Sequence, residues 1–147
     1  MKRRSEQGFT LIEITAVLIL LAAFALLVGP TVLKSVDKGR ANVARTQIAS
    51  LKTVLNTYKL ENGSYPTTDQ GLAALYEKPT IPPIPENWDG PYLDDPIKND
   101  PWNRPYVYIC PGQHNKQSYD ILSYGADGAE GGEGINADIT NWTAGSQ

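Results

Sequence analysis

Two groups of carboxylates in this chain stand where chemistry would need them. Glu13 lies at the mouth of a run that carries no charge from Ile14 to Leu33. In hydrocarbon an unpaired carboxylate costs about 3 kcal/mol on insertion scales, so Glu13 calls for a cation. The candidate is the α-amino group that a cut between Gly8 and Phe9 would create. At neutral pH that amine is cationic and the carboxylate anionic, and in an apolar core each removes the other's desolvation problem. A glutamate that simply snorkels near a helix end is the plain alternative. The second group is Asp127, Glu130, Glu133 and Asp138, interleaved with Gly125, Gly128, Gly131, Gly132 and Gly134. Hard cations such as Ca²⁺ collect oxygens from carboxylates and backbone carbonyls, and glycines let the chain fold back around the ion. The spacing is not that of an EF-hand, and four carboxylates would repel a phosphate. A flexible acidic surface loop is the alternative here.

Nothing else in the chain reads as reaction chemistry. The sequence offers no histidine–nucleophile pair with an acid, no metal-hydrolase spacing and no phosphate loop. Cys110 is the only cysteine and His114 the only histidine, so an intrachain disulfide is impossible and a thiol-based site lacks company. The expectation is a protein that is not an enzyme.

These residues need elements to position them. Twenty uncharged residues span about 30 Å as a helix, enough for a bilayer core. Lys2, Arg3 and Arg4 against Glu6 leave residues 1–8 positively charged, which predicts that they stay cytoplasmic while the rest is translocated. The apolar run follows the proposed cut, unlike an ordinary secretory signal. The reading is a one-pass anchor with an extracytoplasmic domain. Beyond it, Val32, Val36, Val43, Ile48, Leu51, Val54, Leu55 and Tyr58 recur at three- and four-residue steps, which predicts an amphipathic continuation ending at Asn62-Gly63. Gly29-Pro30 interrupts the pattern, and a kink or a melted stretch is expected there.

Asp69–Tyr76 reads as a loop and a short helix. Eight of the eleven prolines fall between Pro79 and Pro105, which predicts an irregular, rigid surface segment. Alternation at Tyr106, Tyr108 and Cys110 predicts a strand, and Ser118–Ser123 a second. The fold class is α+β: a long N-terminal helix packed on a small antiparallel sheet with a long irregular loop. The divisions are residues 1–8 as a cleaved leader, 9–29 as transmembrane or filament-core helix, 30–62 as the amphipathic helix of the head, and 63–147 as a globular region with the acidic loop.

Charge is uneven along the chain. The net value is -3, but residues 30–84 carry seven cations and four anions, and residues 85–147 carry three cations and ten anions. An acidic folded half argues against nucleic acid as a partner. It suits head-to-tail packing of identical subunits, or a cation site.

Gly8-Phe9-Thr10-Leu11-Ile12-Glu13 resembles the processing motif of type IV pilin-like proteins. The resemblance implies cleavage after Gly8 by a prepilin peptidase, N-methylation of Phe9, and pairing of Glu13 with the N-terminal amine of a neighbouring subunit. Three further segments narrow it: Asn62–Pro66 with Gln70-Gly71-Leu72; Asp100–Tyr106; and Ser123–Gly128 with Ala137-Asp138-Ile139. Together they look like the major pseudopilins of the bacterial type II secretion system, over nearly the whole chain. Such a protein is implied to be an inner-membrane protein with a periplasmic domain that polymerises into a helical homopolymer and drives export of folded proteins across the outer membrane. Implied partners are minor pseudopilins, an inner-membrane assembly platform and its cytoplasmic ATPase. Assembly is implied to involve Glu13, with Pro30 freeing the anchor to repack. Calcium is the implied cofactor, with the Tyr124 carbonyl and the Asp127 carboxylate as ligands, Glu133 as a candidate substitute and Asp138 as ligand or loop support. The chain departs from the family pattern at Gly134-Ile135, where many members carry aspartates. Rival readings are a type IV pilus pilin serving adhesion or motility, and a membrane-anchored calcium-binding or enzymatic periplasmic domain that never polymerises.

Overall fold

The computed structural model describes residues 9–142, with the side chains of residues 28–34 outside the described set. The expectations that fall on residues 1–8, Gly8 included, therefore lie outside the described residues, as does the side chain of Pro30. The chain divides into two compact units, residues 1–37 and 38–147. One helix, α1 (Leu11–Asn62), contributes to both. It runs unbroken through Gly29-Pro30, so the melted stretch expected there is not found. A proline removes one backbone donor, and the helix continues past that single missing bond. The unit boundary falls later than that dipeptide, between Asp37 and Lys38.

In the first unit the described apolar side chains are exposed on every face, from Ile14 at 48 % to Leu11 at 88 %. In the second unit α1 buries one stripe only: Ala44, Ile48, Leu51, Leu55 and Tyr58. Steps of four and three residues keep these on one side of a 3.6-residue helix. Val43, counted with that stripe on sequence, is half exposed, because Ala44 and not Val43 holds the correct phase; Val36, half exposed as well, belongs to the first unit. Gly63, with φ at +80°, ends the helix by donating its N–H to the Lys59 carbonyl at 2.8 Å. A left-handed residue just past the last turn is the common helix stop.

The stripe packs on a short 3₁₀ helix (Leu72–Leu75) and a three-stranded antiparallel sheet. The sheet order is β1 (Val107–Ile109), β2 (Asp120–Ser123), β3 (Ile139–Thr140). Tyr106 and Tyr108 point into the core while Val107 and Ile109 are half buried, the alternation expected of a strand covered on one face. Tyr65 meets Tyr119 edge-on at 4.7 Å between ring centres, and the Tyr108 hydroxyl donates to the Pro66 carbonyl at 2.8 Å.

The proline-rich segment has neither helix nor strand between residues 79 and 105, as its composition requires. Prolines lack an N–H, so their segment cannot satisfy itself and is held from outside. Buried Gln70 donates to the carbonyls of Ile81 and Pro83, both at 2.8 Å. Trp88 donates to the Ala74 carbonyl at 3.0 Å, and the Tyr92 N–H to that of Leu75 at 2.8 Å. Leu55 is fully buried at the centre of the stripe. Leu55→Ala is expected to cost about 2–5 kcal/mol, and Val43→Ala to stay within about 0.5 kcal/mol. Chemical denaturation of the full chain in mild detergent, followed by tryptophan fluorescence, checks both.

Candidate functional site

Glu13 sits in the first turn of α1 and is exposed. Its Oε2 accepts both the Thr10 N–H and the Thr10 hydroxyl at 2.9 Å, and the Glu13 N–H returns a bond to the Thr10 Oγ1 at 3.3 Å. Thr10 and Glu13 thus form a reciprocal capping box. The sequence reading missed this second role. Its signal, a threonine three residues before a glutamate ahead of an apolar run, lies inside the same hexapeptide.

The acidic residues lie in the connection from β2 to β3. Ser123 pairs with Ile139 across the sheet, so the register brings Tyr124 and Asp138 together at the root of the loop. The limbs are stitched by Ala126 N–H to the Ile135 carbonyl and Asp138 N–H to the Gly131 carbonyl, both at 3.2 Å. Ile135, half of the departing pair, thus serves the loop through its backbone. Gly132, at φ +80°, approaches Asn136 so closely that a Cβ would fall 2.5 Å from that residue's carbonyl oxygen. Any side chain there would push the limbs apart.

Three of the four proposed ligands have a local engagement. The Tyr124 carbonyl accepts the Gly128 N–H at 3.2 Å, and Asp127 Oδ1 accepts the Ala129 N–H at 3.1 Å. Glu133 is exposed and precedes a 3₁₀ turn (Gly134–Asn136). Asp138 Oδ2 accepts the Gly131 N–H at 2.9 Å, while its buried Oδ1 has no hydrogen-bond partner. A buried carboxylate oxygen without a partner, in a loop rich in glycine, fits a hard cation in chemistry. Among the described residues, however, no three or more His, Cys, Asp or Glu side chains are gathered closely enough to hold a metal. Asp127, Glu133 and Asp138 share the loop without forming one cluster.

The family model for type II secretion system protein G matches residues 31–142. The chain belongs to that family. It is 45 % identical over 142 residues to a type II secretion system core protein G of Pseudomonas aeruginosa, covering 97 % of this chain and 99 % of the relative. A core protein G of Vibrio cholerae is also 45 % identical, with 96 % and 94 % covered. Among solved structures, the major pseudopilin from the type 2 secretion system of enterohaemorrhagic Escherichia coli superposes with a TM-score of 0.63 at 38 % identity. That match covers 76 % of this chain and 94 % of the other. The α+β class and the resemblance drawn from the segments at 62–72, 100–106 and 123–139 agree with these matches.

Within the family fold, two aspartates that sequence reading left unassigned anchor the sheet and its loops. Asp100 is buried and accepts the N–H groups of Trp102 and Arg104 at 3.0 and 2.9 Å through one oxygen, and the Ser123 hydroxyl through the other. Asp120, the first residue of β2, is buried and gathers the loop before it. It accepts the N–H groups of His114 and Asn115 at 2.8 and 3.0 Å, the Asn115 amide at 2.9 Å, and faces His114 Nδ1 at 3.2 Å. The His114 ring stacks on Trp142, with 4.1 Å between ring centres. Gly112 lies against the same carboxylate. No composition signal separates these aspartates from solvent-facing ones. The turn-rich stretches around them, Asp100-Pro101 and Gly112–Ser118, are the cue that a buried acceptor is needed.

Burial pushes the Asp120 carboxyl up, but the backbone N–H groups of His114 and Asn115 and their side chains outweigh it, leaving it below the ordinary carboxylate value. A depressed folded value stabilises above the unfolded value of about 3.9, and that stability is lost as pH falls through the folded value. The melting temperature is therefore expected to hold from pH 7 to about 5 and to fall below about pH 4. Asp120→Asn is expected to start lower at pH 7 and to fall less. Melting curves across that range check the sign.

Proposed function

We propose that this protein is the structural subunit of a type II secretion pseudopilus, polymerising in the periplasm to drive export of folded proteins across the outer membrane. The observation that carries the reading is the first unit of α1, apolar and exposed on every face in the single chain. Such a helix requires a bilayer or a bundle of like helices. Among the described residues no helix is long and apolar enough to cross a membrane. In sequence, the uncharged run continues through residues 28–33. The proposed path is a single-pass inner-membrane anchor before assembly and a packed filament core afterwards.

In this reading a prepilin peptidase cuts between Gly8 and Phe9, Phe9 is methylated, and its amine meets Glu13 of a neighbouring subunit. Minor pseudopilins, an inner-membrane platform and a cytoplasmic ATPase are the proposed partners, the last supplying the energy for assembly. The Tyr124 carbonyl and the carboxylates of Asp127, Glu133 and Asp138 would hold Ca²⁺, whose charge would tie the two limbs of the loop together. The orphaned Asp138 oxygen supports that assignment.

A strain lacking the gene tests the filament role. The wild-type chain is expected to restore exoprotein secretion, and Glu13→Ala to lose it. Because Glu13 also caps α1, Thr10→Ala is the control: it breaks the same cap, worth about 1 kcal/mol, and leaves the carboxylate. Secretion should survive it. Intact secretion with Glu13→Ala, or equal loss with both variants, would overturn the charge-pair assignment. For the metal, the full chain in detergent is expected to melt higher in millimolar CaCl₂ than in EDTA, and Asp127→Ala to lose that difference. An unchanged melting curve removes calcium from the account.

A further inference from the structure

One limb of the acidic loop is held by a cation that belongs to the chain. Arg104 Nη1 donates to the carbonyls of Gly125 at 2.9 Å and Ala126 at 3.2 Å. Those two residues lie between Tyr124 and Asp127. Gly128, at φ +71°, packs on the guanidinium so tightly that a Cβ would fall 2.5 Å from Cζ and 2.7 Å from Nε and Nη1. Positively charged donors make hydrogen bonds about twice as strong as neutral ones.

The root of Arg104 is fixed as firmly as its tip. Its N–H donates to Asp100 Oδ1 at 2.9 Å and its carbonyl accepts the Asp100 N–H at 2.7 Å. The second oxygen of Asp100 accepts the Ser123 hydroxyl, and the Ser123 Oγ accepts the Gly125 N–H at 3.3 Å. Asp100 thereby ties the base of the arginine to the end of β2, and the arginine fork reaches over the first turn of the loop. Among the described residues the guanidinium makes no ion pair with a carboxylate. Its Nη1 donates to backbone carbonyls at the foot of a loop that carries four acids.

We propose that Arg104 is a positioning residue that keeps the Tyr124–Asp127 limb of the acidic loop folded without a metal. The proposal stands apart from the calcium assignment, since every contact it uses is present within the chain itself. A neutral or shorter side chain at 104 leaves two carbonyls without their charged donor, and the limb then depends on its own weaker bonds.

Amide hydrogen exchange of the full chain in detergent, in EDTA, tests this. In the wild type, peptides covering residues 124–128 are expected to be protected. Arg104→Gln should accelerate exchange there by about tenfold or more, while peptides covering β1 and β2 stay protected. Arg104→Lys, which keeps the charge and one donor, should lose less than Arg104→Gln. Equal exchange in wild type and Arg104→Gln overturns the proposal, as does a wild-type limb that exchanges freely in EDTA. If Arg104→Gln opens the strands as well, Arg104→Lys decides: closed strands with protection at 124–128 above that of Arg104→Gln support the role, and a loss that again spreads to the strands refutes it. A calcium arm separates the two ideas. Protection of Arg104→Gln restored by CaCl₂ supports both, and no calcium effect in any variant removes the metal while the EDTA comparison still judges Arg104.

Discussion

A helix with apolar side chains on every face has no stable solution alone in water, and α1 begins as such a helix. That constraint governs the chain. The apolar region needs a bilayer or other helices around it, while the later part of the same helix buries a single stripe under a small α+β head. One continuous element must therefore satisfy two environments. The side chains change accordingly: uncharged from Ile14 to Leu33, then cations between apolar positions from Lys34 to Lys59.

The head solves a different problem, that of holding long irregular segments with few regular bonds. Among the described residues, only three short strands and two short 3₁₀ turns follow α1. Buried polar side chains take over what ladders would otherwise do. Gln70 serves the proline-rich segment, Asp120 the turn before β2, and Asp100 the turn that leads into β1. Asp100 also reaches Ser123 at the end of β2, so a single carboxylate joins the entry of one strand to the exit of its neighbour. The acidic loop grows from that junction.

Much of the fold was legible in sequence because it rests on periodicity and on chain-breaking residues. The helix end at Asn62-Gly63, the irregular stretch from Pro79 to Pro105 and the strand through Tyr108 follow from local rules. Phase was harder to read: a small residue, Ala44, takes the buried position beside a larger and more conspicuous Val43 that faces out. β3 was not assigned residues, since two residues carry no period and Ile139–Thr140 is a strand only through its pairing with β2. The acidic residues were visible, but their supports were not. Arg104 and Asp100 act through contacts 20 or so positions away in sequence, and such pairings leave no trace in a local pattern. At Gly29-Pro30 the melted alternative is absent, since one missing donor removes a single bond from the ladder of α1.

The cap that Glu13 makes and the pairing proposed for it are compatible because a carboxylate has two oxygens. Both bonds from Thr10 end on Oε2, and an ionised carboxylate can accept at each oxygen more than once. The capping box therefore orients the side chain at the helix start while leaving Oε1 for a further donor. A cap made by serine or asparagine would satisfy the same N–H groups without any charge to offer a neighbour. A glutamate without the threonine would bring the charge but leave its direction unfixed, and the side-chain entropy would then be lost only on pairing. Residues 10 and 13 together hold one acceptor in place before a neighbouring amine arrives, so the local cap serves the proposed contact between subunits and does not compete with it.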